Sequence, residues 1–544
     1  MGSSNHNFLE NSGKALLSGN EAIARGFWEA GGIFASGYPG TPGTEILETV
    51  SLFKEVHAQW ATNEKVALEV AIGVALAGGR CLVSMKHVGV NVAADPLATL
   101  PYLGIKGALV IVSADDPGPY SSQNEQDNRH YARFFKIPLL EPSDSDEALR
   151  YCKEAVCISQ RFSTPVMLRV TTRICHTRTV VGLGPRDRVS SAIGFSPNPE
   201  TQVMIPKYAR LGHKNLEERL KKLEEYSEGS ELNKEILSDN HLGIISSGMS
   251  FQYARETNPG AGFLKLGMSW PLPAKKIKDF AGRYSKVMVL EELDRFLEKE
   301  IKSLGISVYG KPDRHLVGEL NPSKVREIFK ISRRDSARLS PSKRAPGFCP
   351  GCAYEKVFKV LSELDLYCMG DIGCYTLGVL PPFKAIHVNL CMGASIGLAS
   401  GLSWVLGESQ KKVIAVIGDS TFLHSGIPSL MDAVYNKRKT KVIILDNMST
   451  AMTGFQEHPG TGITLEGDET KKIDLASICV ALGVDKVMEH NPYDPDLREK
   501  IKALLEIDGS SVLILRAPCL LHEKHRKARA LSKNEVRPKK REEH

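Results

Sequence analysis

The spacing of apolar residues changes character several times along the chain. "GIFASGYPGTP" (32–42) and "GALVIVSADD" (107–116) are short apolar runs ending in Gly, Pro and Asp. They predict strands that run into loops. Between them, "NEKVALEVAIGVALAGG" (63–79) predicts a helix. This strand–helix alternation over residues 14–180 predicts a parallel sheet with its loops at the carboxyl edge. The pattern then turns polar, and "KNLEERLKKLEEYSEGSELNKE" (214–235) predicts a solvated helix. "LGIISSG", "GFLKLGMSWPLP" and "KVMVLEELD" predict a smaller α/β domain, which ends near the basic linker "SRRDSARLSPSKRAP" (332–346). Strand–helix alternation returns over residues 346–518 and closes on "SSVLILRAP".

Four regions follow: 1–185, 186–335, 346–520, and a basic tail at 521–544. "AIGVALAG" (71–78) and "SIGLASGL" (395–402) echo one another, a weak repeat that points to two related domains. "LCMGASIGLASGLSWVL" (390–406) is too short and too rich in Gly and Ser for a membrane span, and predicts a buried helix.

Composition adds little to this outline. With 544 residues, 42% hydrophobic and 24% charged, the chain has the make-up of a soluble, multi-domain protein. Residues 522–544 hold nine Lys or Arg and four Glu, so they carry +5 of the net +7. A solvated end is expected there rather than a nucleic-acid site. The first fourteen residues contain no apolar stretch of the secretory kind. Eleven cysteines without an export signal imply a reducing, cytoplasmic setting, where clustered cysteines bind metal.

The chemistry concentrates at residues 411–454. "KKVIAVIGD" and "TKVIILDN" predict parallel strands joined by the crossover helix "SGIPSLMDAVYNK". Asp419 and Asn447 then emerge side by side at the edge where α/β sheets bind ligands. A carboxylate, an amide carbonyl and nearby backbone carbonyls are hard donors suited to Mg²⁺ shared with phosphates. Glycines and hydroxyls around them allow a diphosphate to approach the backbone. Cys349 and Cys352 form a C-x-x-C, Cys374 lies in a glycine turn, and Cys519 follows the last strand. On their own these four are compatible with zinc, a redox pair or no metal.

Gly418-Asp419 followed by Asp446-Asn447 resembles the thiamine diphosphate signature. The run 418–454 is similar to the large subunit of the indolepyruvate:ferredoxin oxidoreductases, as are "GYPGTPGTEI" (37–46), "NEKVALEV" (63–70), "MKHVGVNVAADP" (85–96), "SSQNEQDNRHYA" (121–132), "CPGC" (349–352) and "GDIGCYTLG" (370–378). That resemblance covers residues 15–520. It implies two related thiamine-diphosphate-binding parallel-sheet domains flanking a transketolase-C-terminal-like α/β domain. It also implies oxidative decarboxylation of an arylpyruvate-type 2-oxoacid to an acyl-CoA, with electrons passed to ferredoxin.

By the same resemblance, Asp419, Asn447 and the Ser449 carbonyl would hold Mg²⁺, and Gly418, Ser420, Thr421, Gly373 and Met392 would line the cofactor. Glu64, nine residues before Gly73, would relay the proton on the aminopyrimidine, with Glu69 a lesser candidate. Thr41 and His87 would face the substrate, near Lys86. Cys349, Cys352, Cys374 and Cys519 would bind a [4Fe–4S] cluster, with Cys368 and Cys391 as alternatives. The implied partners are a smaller subunit, ferredoxin, and a second copy that shares the active site.

Two departures stand out. No ferredoxin-like domain with its cysteine runs follows residue 520, which leaves room for an alternative, a non-oxidative decarboxylase releasing an aldehyde. Ala353-Tyr354-Glu355 stands where the family pattern resembles Pro-His-Arg, placing an acid beside the cysteines. A negative charge there would lower the potential of a cluster.

Overall fold

The computed structural model describes residues 7–10, 12–188, 193–332 and 347–524. Residues 333–346 of the basic linker and 525–544 of the basic tail lie outside the described residues. The chain divides into two compact units, Met1–Arg338 and Leu339–His544.

The first unit is built on a seven-stranded sheet in the order Met268–Trp270, Leu139–Leu140, Val166–Thr171, Ala108–Asp115, Arg80–Lys86, Phe34–Gly37, His57–Trp60. All its pairings are parallel except that of Met268–Trp270 with Leu139–Leu140. Ala108–Asp115 is buried at every position, as a strand covered on both faces must be. The segment expected to form a separate smaller domain therefore lends one strand to this sheet. Its own four-stranded sheet runs Lys286–Leu290, Leu242–Ser246, Gly262–Leu266, Asn233–Ile236, with the last strand antiparallel. A buried ion network joins the two sheets. Arg129 bonds both Asp127 and Glu291, and its guanidinium also donates to the Glu292 carbonyl at 2.9 Å. The charged helix is Pro206–Gly229, with Gly212, Leu216, Leu223 and Ser227 on its covered side.

The second unit is a five-stranded, all-parallel sheet in the order Tyr367–Met369, Val413–Gly418, Lys441–Asp446, Ser511–Arg516, Lys486–His490. Val413–Gly418 and Lys441–Asp446 are buried throughout. Their register pairs Ile417 with Ile444 and Gly418 with Leu445, so both strands end at one level.

One expectation is corrected here. The helix Ala394–Leu406 is not buried all round: Ser395, Ile396, Ala399, Ser400 and Ser403 are covered, while Gly397, Gly401, Trp404 and Val405 are exposed within this unit. Small residues and scattered apolar ones give a high average hydrophobicity without revealing that only one face packs on the sheet.

Candidate cofactor and cluster site

In the second unit the chain turns into a helix as soon as the strand Val413–Gly418 ends. Asp419–Thr421 makes one α turn, Phe422–Gly426 a widened π-type turn, and Ile427–Tyr435 a regular helix. The crossover helix thus begins earlier than its sequence pattern indicates, and Asp419 sits at its first position. Asp419 is 2% exposed. Its Oδ1 accepts the Ser420 N–H at 2.8 Å, and its Oδ2 accepts the Ser449 N–H at 3.3 Å.

Asn447 follows the neighbouring strand, and its Oδ1 accepts the same Ser449 N–H at 3.1 Å. The Asp419 carboxylate and the Asn447 amide oxygen therefore converge on a single donor. Met448, between Asn447 and Ser449, lies in the left-handed region with φ 56°. Ser449 Oγ is buried with no hydrogen-bond partner. Two converging hard oxygens and an orphaned hydroxyl fit a divalent cation with oxygen ligands.

The surrounding glycines are needed for space. A Cβ on Gly418 would sit 2.8 Å from the Tyr375 ring, and one on Gly373 would sit 2.4 Å from it. Gly393 has φ 85°, and a Cβ there would meet Ser425 at 2.5 Å. Ser420 Oγ lies 2.9 Å from Thr450 Oγ1, and Thr421 Oγ1 donates to the Ile372 carbonyl at 3.0 Å. The turn holding Gly373 and the helix start after Met392 are tied together by Asp371. Its carboxylate accepts N–H groups from Ile372 at 2.9 Å, Gly393 at 2.8 Å and Ser395 at 3.0 Å. Burial outweighs these donors and pushes the Asp371 carboxyl up to about 6.

The cysteines adjoin this site. The Cys352 N–H donates to the Cys349 carbonyl at 3.0 Å, closing the C-x-x-C turn through Gly351 at φ 79°. The Cys519 N–H donates to the Asn447 carbonyl at 3.0 Å, joining the last cysteine to the oxygen site through the backbone. Burial pushes the Cys374 thiol up to about 12, and the charges of Cys519, Cys352 and Cys349 add to that. Cys352 is raised by burial first, then by Cys349 and Cys519. The four sulfurs are thus near enough for their charges to act on one another. Among the described residues no three of them come within 4.8 Å of one another. A tetrahedral zinc with bonds of about 2.3 Å would need sulfurs about 3.8 Å apart.

In the first unit, Glu64 is 5% exposed at the start of the helix Glu64–Leu76. The capping role belongs to Asn63, whose Oδ1 accepts the Val66 N–H at 2.9 Å. Glu69, the lesser candidate, is exposed within this unit and ion-paired to Lys65. Gly89 leaves room for Glu64, since a Cβ there would lie 2.6 Å from Glu64 Oε1. The His87 ring is fully buried, with Nε2 3.0 Å from Asn124 Oδ1. Gln126 and Asn128 side chains both donate to the His87 carbonyl at 3.1 Å. Thr41 is half-buried, and its carbonyl lies 3.5 Å from Ser121 Oγ. Lys86 Nζ donates to the Ser121 carbonyl at 2.5 Å, and burial pushes its amine down to about 8 despite nearby Asp116. Thr41, Lys86, His87 and the 121–128 loop therefore form one knit surface.

Residues 25–212 match the family described as "Pyruvate flavodoxin/ferredoxin oxidoreductase, thiamine diP-bdg". Residues 371–515 match "Thiamine pyrophosphate enzyme, C-terminal TPP binding domain". The indolepyruvate oxidoreductase subunit IorA of Archaeoglobus fulgidus is 41% identical over 545 residues, covering 93% of this chain and 87% of its own. The chain belongs to the IorA family. The IorA of Methanothermobacter marburgensis is 40% identical, over 94% of this chain and 87% of its own. Among solved structures, 2-oxoglutarate:ferredoxin oxidoreductase from Magnetococcus marinus aligns with a TM-score of 0.48 and 15% identity, over 58% of this chain and 65% of that one.

In this IorA-family chain two residues beside the candidate site have no role in the motif pattern, Asp371 and His458, while Asp446 enters it only as part of the Asp446-Asn447 pair. Asp371 lies inside the recognised "GDIGCYTLG" stretch but has no signature role. Asp446 precedes Asn447, and its carboxyl is raised by burial first and then by the Asp419 charge, while Arg516 Nε donates to it at 2.8 Å. His458, before a Pro-Gly, carries no spacing rule that would single it out. No helix among the described residues is long and apolar enough to cross a membrane.

Proposed function

We propose that the chain is the thiamine-diphosphate-dependent subunit of an oxidoreductase that decarboxylates an indolepyruvate-type 2-oxoacid oxidatively, yielding an acyl-CoA and CO₂ and delivering electrons to a ferredoxin. The observation that carries this reading is the convergence of Asp419 Oδ2 and Asn447 Oδ1 on the Ser449 N–H, at 3.3 and 3.1 Å. Asp419, Asn447 and the Ser449 carbonyl would hold Mg²⁺, which binds hard oxygen and shares itself with phosphate. Gly418, Ser420, Thr421, Gly373 and Met392 would line the diphosphate side. When bound, thiamine diphosphate supplies the electron sink that lets CO₂ depart.

The rest falls to side chains. Glu64, buried at the start of its helix, would hold the proton for the pyrimidine ring. Thr41 would face the 2-oxoacid, and His87 would support that wall from behind. His87 is so enclosed that its part is to hold shape, through Asn124, rather than to exchange protons with solvent. Cys349, Cys352, Cys374 and Cys519 would bind a [4Fe–4S] cluster. Their mutual charge effects, and the suitability of soft thiolates for iron–sulfur clusters, support this reading. A smaller partner subunit and a second copy of the chain complete the assembly. The cytoplasm, with its reduced thiols, is the compartment that suits these cysteines.

The test is to purify the chain anaerobically with its smaller subunit and follow viologen reduction with indolepyruvate, phenylpyruvate and pyruvate, with and without CoA. CoA-dependent reduction that favours an aryl substrate is the expected result. Aldehyde release without viologen reduction would replace this reading with the non-oxidative one.

A further inference from the structure

Asp419 has one more partner, which reaches it from the loop beyond the signature. His458 is 7% exposed, and its Nδ1 accepts the Gly460 N–H at 3.1 Å. With Nδ1 taken as an acceptor, the proton of the neutral ring lies on Nε2, 3.2 Å from Asp419 Oδ2. The imidazole therefore donates to the carboxylate that offers itself to a cation. Its place in the loop is fixed on both sides. The Thr450 N–H donates to the Gln456 carbonyl at 2.9 Å. Glu457 pairs with His522 at 3.5 Å, and the Phe455 ring stacks on His522 with centroids 6.1 Å apart.

These donors divide the carboxylate between them. Oδ1 is held by Ser420 N–H, and Oδ2 by Ser449 N–H and His458 Nε2–H. The Ser420 and Ser449 donors are backbone groups that survive any side-chain change. His458 is the side-chain donor, and it alone among the three comes from outside the two signature turns. Asp446, the neighbouring acid, also meets the Asp419 side chain, and Arg516 Nε donates to it at 2.8 Å.

We propose that His458 is a positioning residue for the metal carboxylate: by donating from Nε2 it fixes the rotation of Asp419 so that the carboxylate meets the cation in one orientation. This rests on the reading of Asp419 as a Mg²⁺ ligand. Partners that hydrogen-bond a ligating group are worth about 10–100-fold in metal affinity.

The experiment uses the full chain, freed of metal and cofactor, titrated with Mn²⁺ by electron paramagnetic resonance and with Mg²⁺ by calorimetry at saturating thiamine diphosphate. His458→Ala is expected to weaken cation binding about 10–100-fold. His458→Gln, whose side-chain amide places an N–H near the same point, is expected to restore most of that loss. Circular dichroism of the metal-free variants checks that the fold is kept. Unchanged cation affinity in a folded His458→Ala overturns the proposal. Equal weakening in Ala and Gln also overturns it, because the hydrogen bond would then not be the cause. If wild type and Asp419→Asn bind the cation alike, the metal reading itself fails, a result distinct from failure of the His458 role.

Discussion

Replacing Gly89 by Ala should separate catalytic geometry from stability. A Cβ at Gly89 would sit 2.6 Å from Glu64 Oε1, 2.8 Å from its Cγ and 2.9 Å from its Cδ. Non-bonded atoms settle near 3.5 Å, so the carboxyl end must retreat by about 0.6–0.9 Å. The atoms met belong to the movable tip of a side chain, so overpacking costs about 1–3 kcal/mol at the low end of that range. Gly89 lies in the helix His87–Val92, where Ala gains about 1 kcal/mol of helix propensity over Gly. The net effect on stability is therefore small. Displacing a catalytic group by about 1 Å can cost about 100-fold in rate, or about 2.7 kcal/mol of barrier. The assay compares viologen reduction, thiamine diphosphate affinity and melting temperature for Gly89→Ala and wild type. A rate loss near 100-fold with cofactor affinity and melting temperature nearly unchanged is the expected pattern. Full activity in Gly89→Ala would refute the placement of Glu64 in the proton relay.

Glu64→Gln should retain thiamine diphosphate binding and lose about 10²–10⁴-fold in rate, read by steady-state turnover alongside calorimetry. Cys374→Ser should lower the iron content of the anaerobically purified protein and abolish viologen reduction, with thiamine content kept; unchanged iron would exclude Cys374 as a ligand. Asp371, pushed up to about 6 by burial, keeps its proton in the folded state after the unfolded chain has released its own. Below about pH 4 both states are protonated, so raising the pH from about 4 to about 6 should cost about 3 kcal/mol, a loss that is complete above that window. Asp371→Asn should flatten this slope in urea titrations of the metal-free protein.

The sheet that carries Asp419 and Asn447 is legible because parallel strands covered on both faces read as unbroken apolar runs, "VIAVIG" and "KVIILD". Their shared level at the carboxyl edge follows from the crossover helix between them. The capping of the Glu64 helix is less visible. Asn63 and Glu64 are both acceptable first-turn residues, and only the bond from Val66 N–H to Asn63 Oδ1 assigns the cap. Loop residues are harder still. His458 and Asp371 act through contacts with segments 39 and 22–24 residues away, and no periodicity encodes such a distance. The exposed face of Ala394–Leu406 was hidden by composition, because small residues serve a covered face and an open one equally well. The strand Met268–Trp270 is three residues long, too short for a sequence pattern to say which sheet it joins.

The most direct measurement is the iron and thiamine content of the complex of this chain with its smaller subunit, purified anaerobically, together with CoA-dependent viologen reduction by indolepyruvate. Stoichiometric thiamine diphosphate, iron that disappears in Cys374→Ser, and CoA-dependent electron transfer are the expected result. A complex that holds thiamine diphosphate but no iron, and turns indolepyruvate into an aldehyde without reducing viologen, would contradict it.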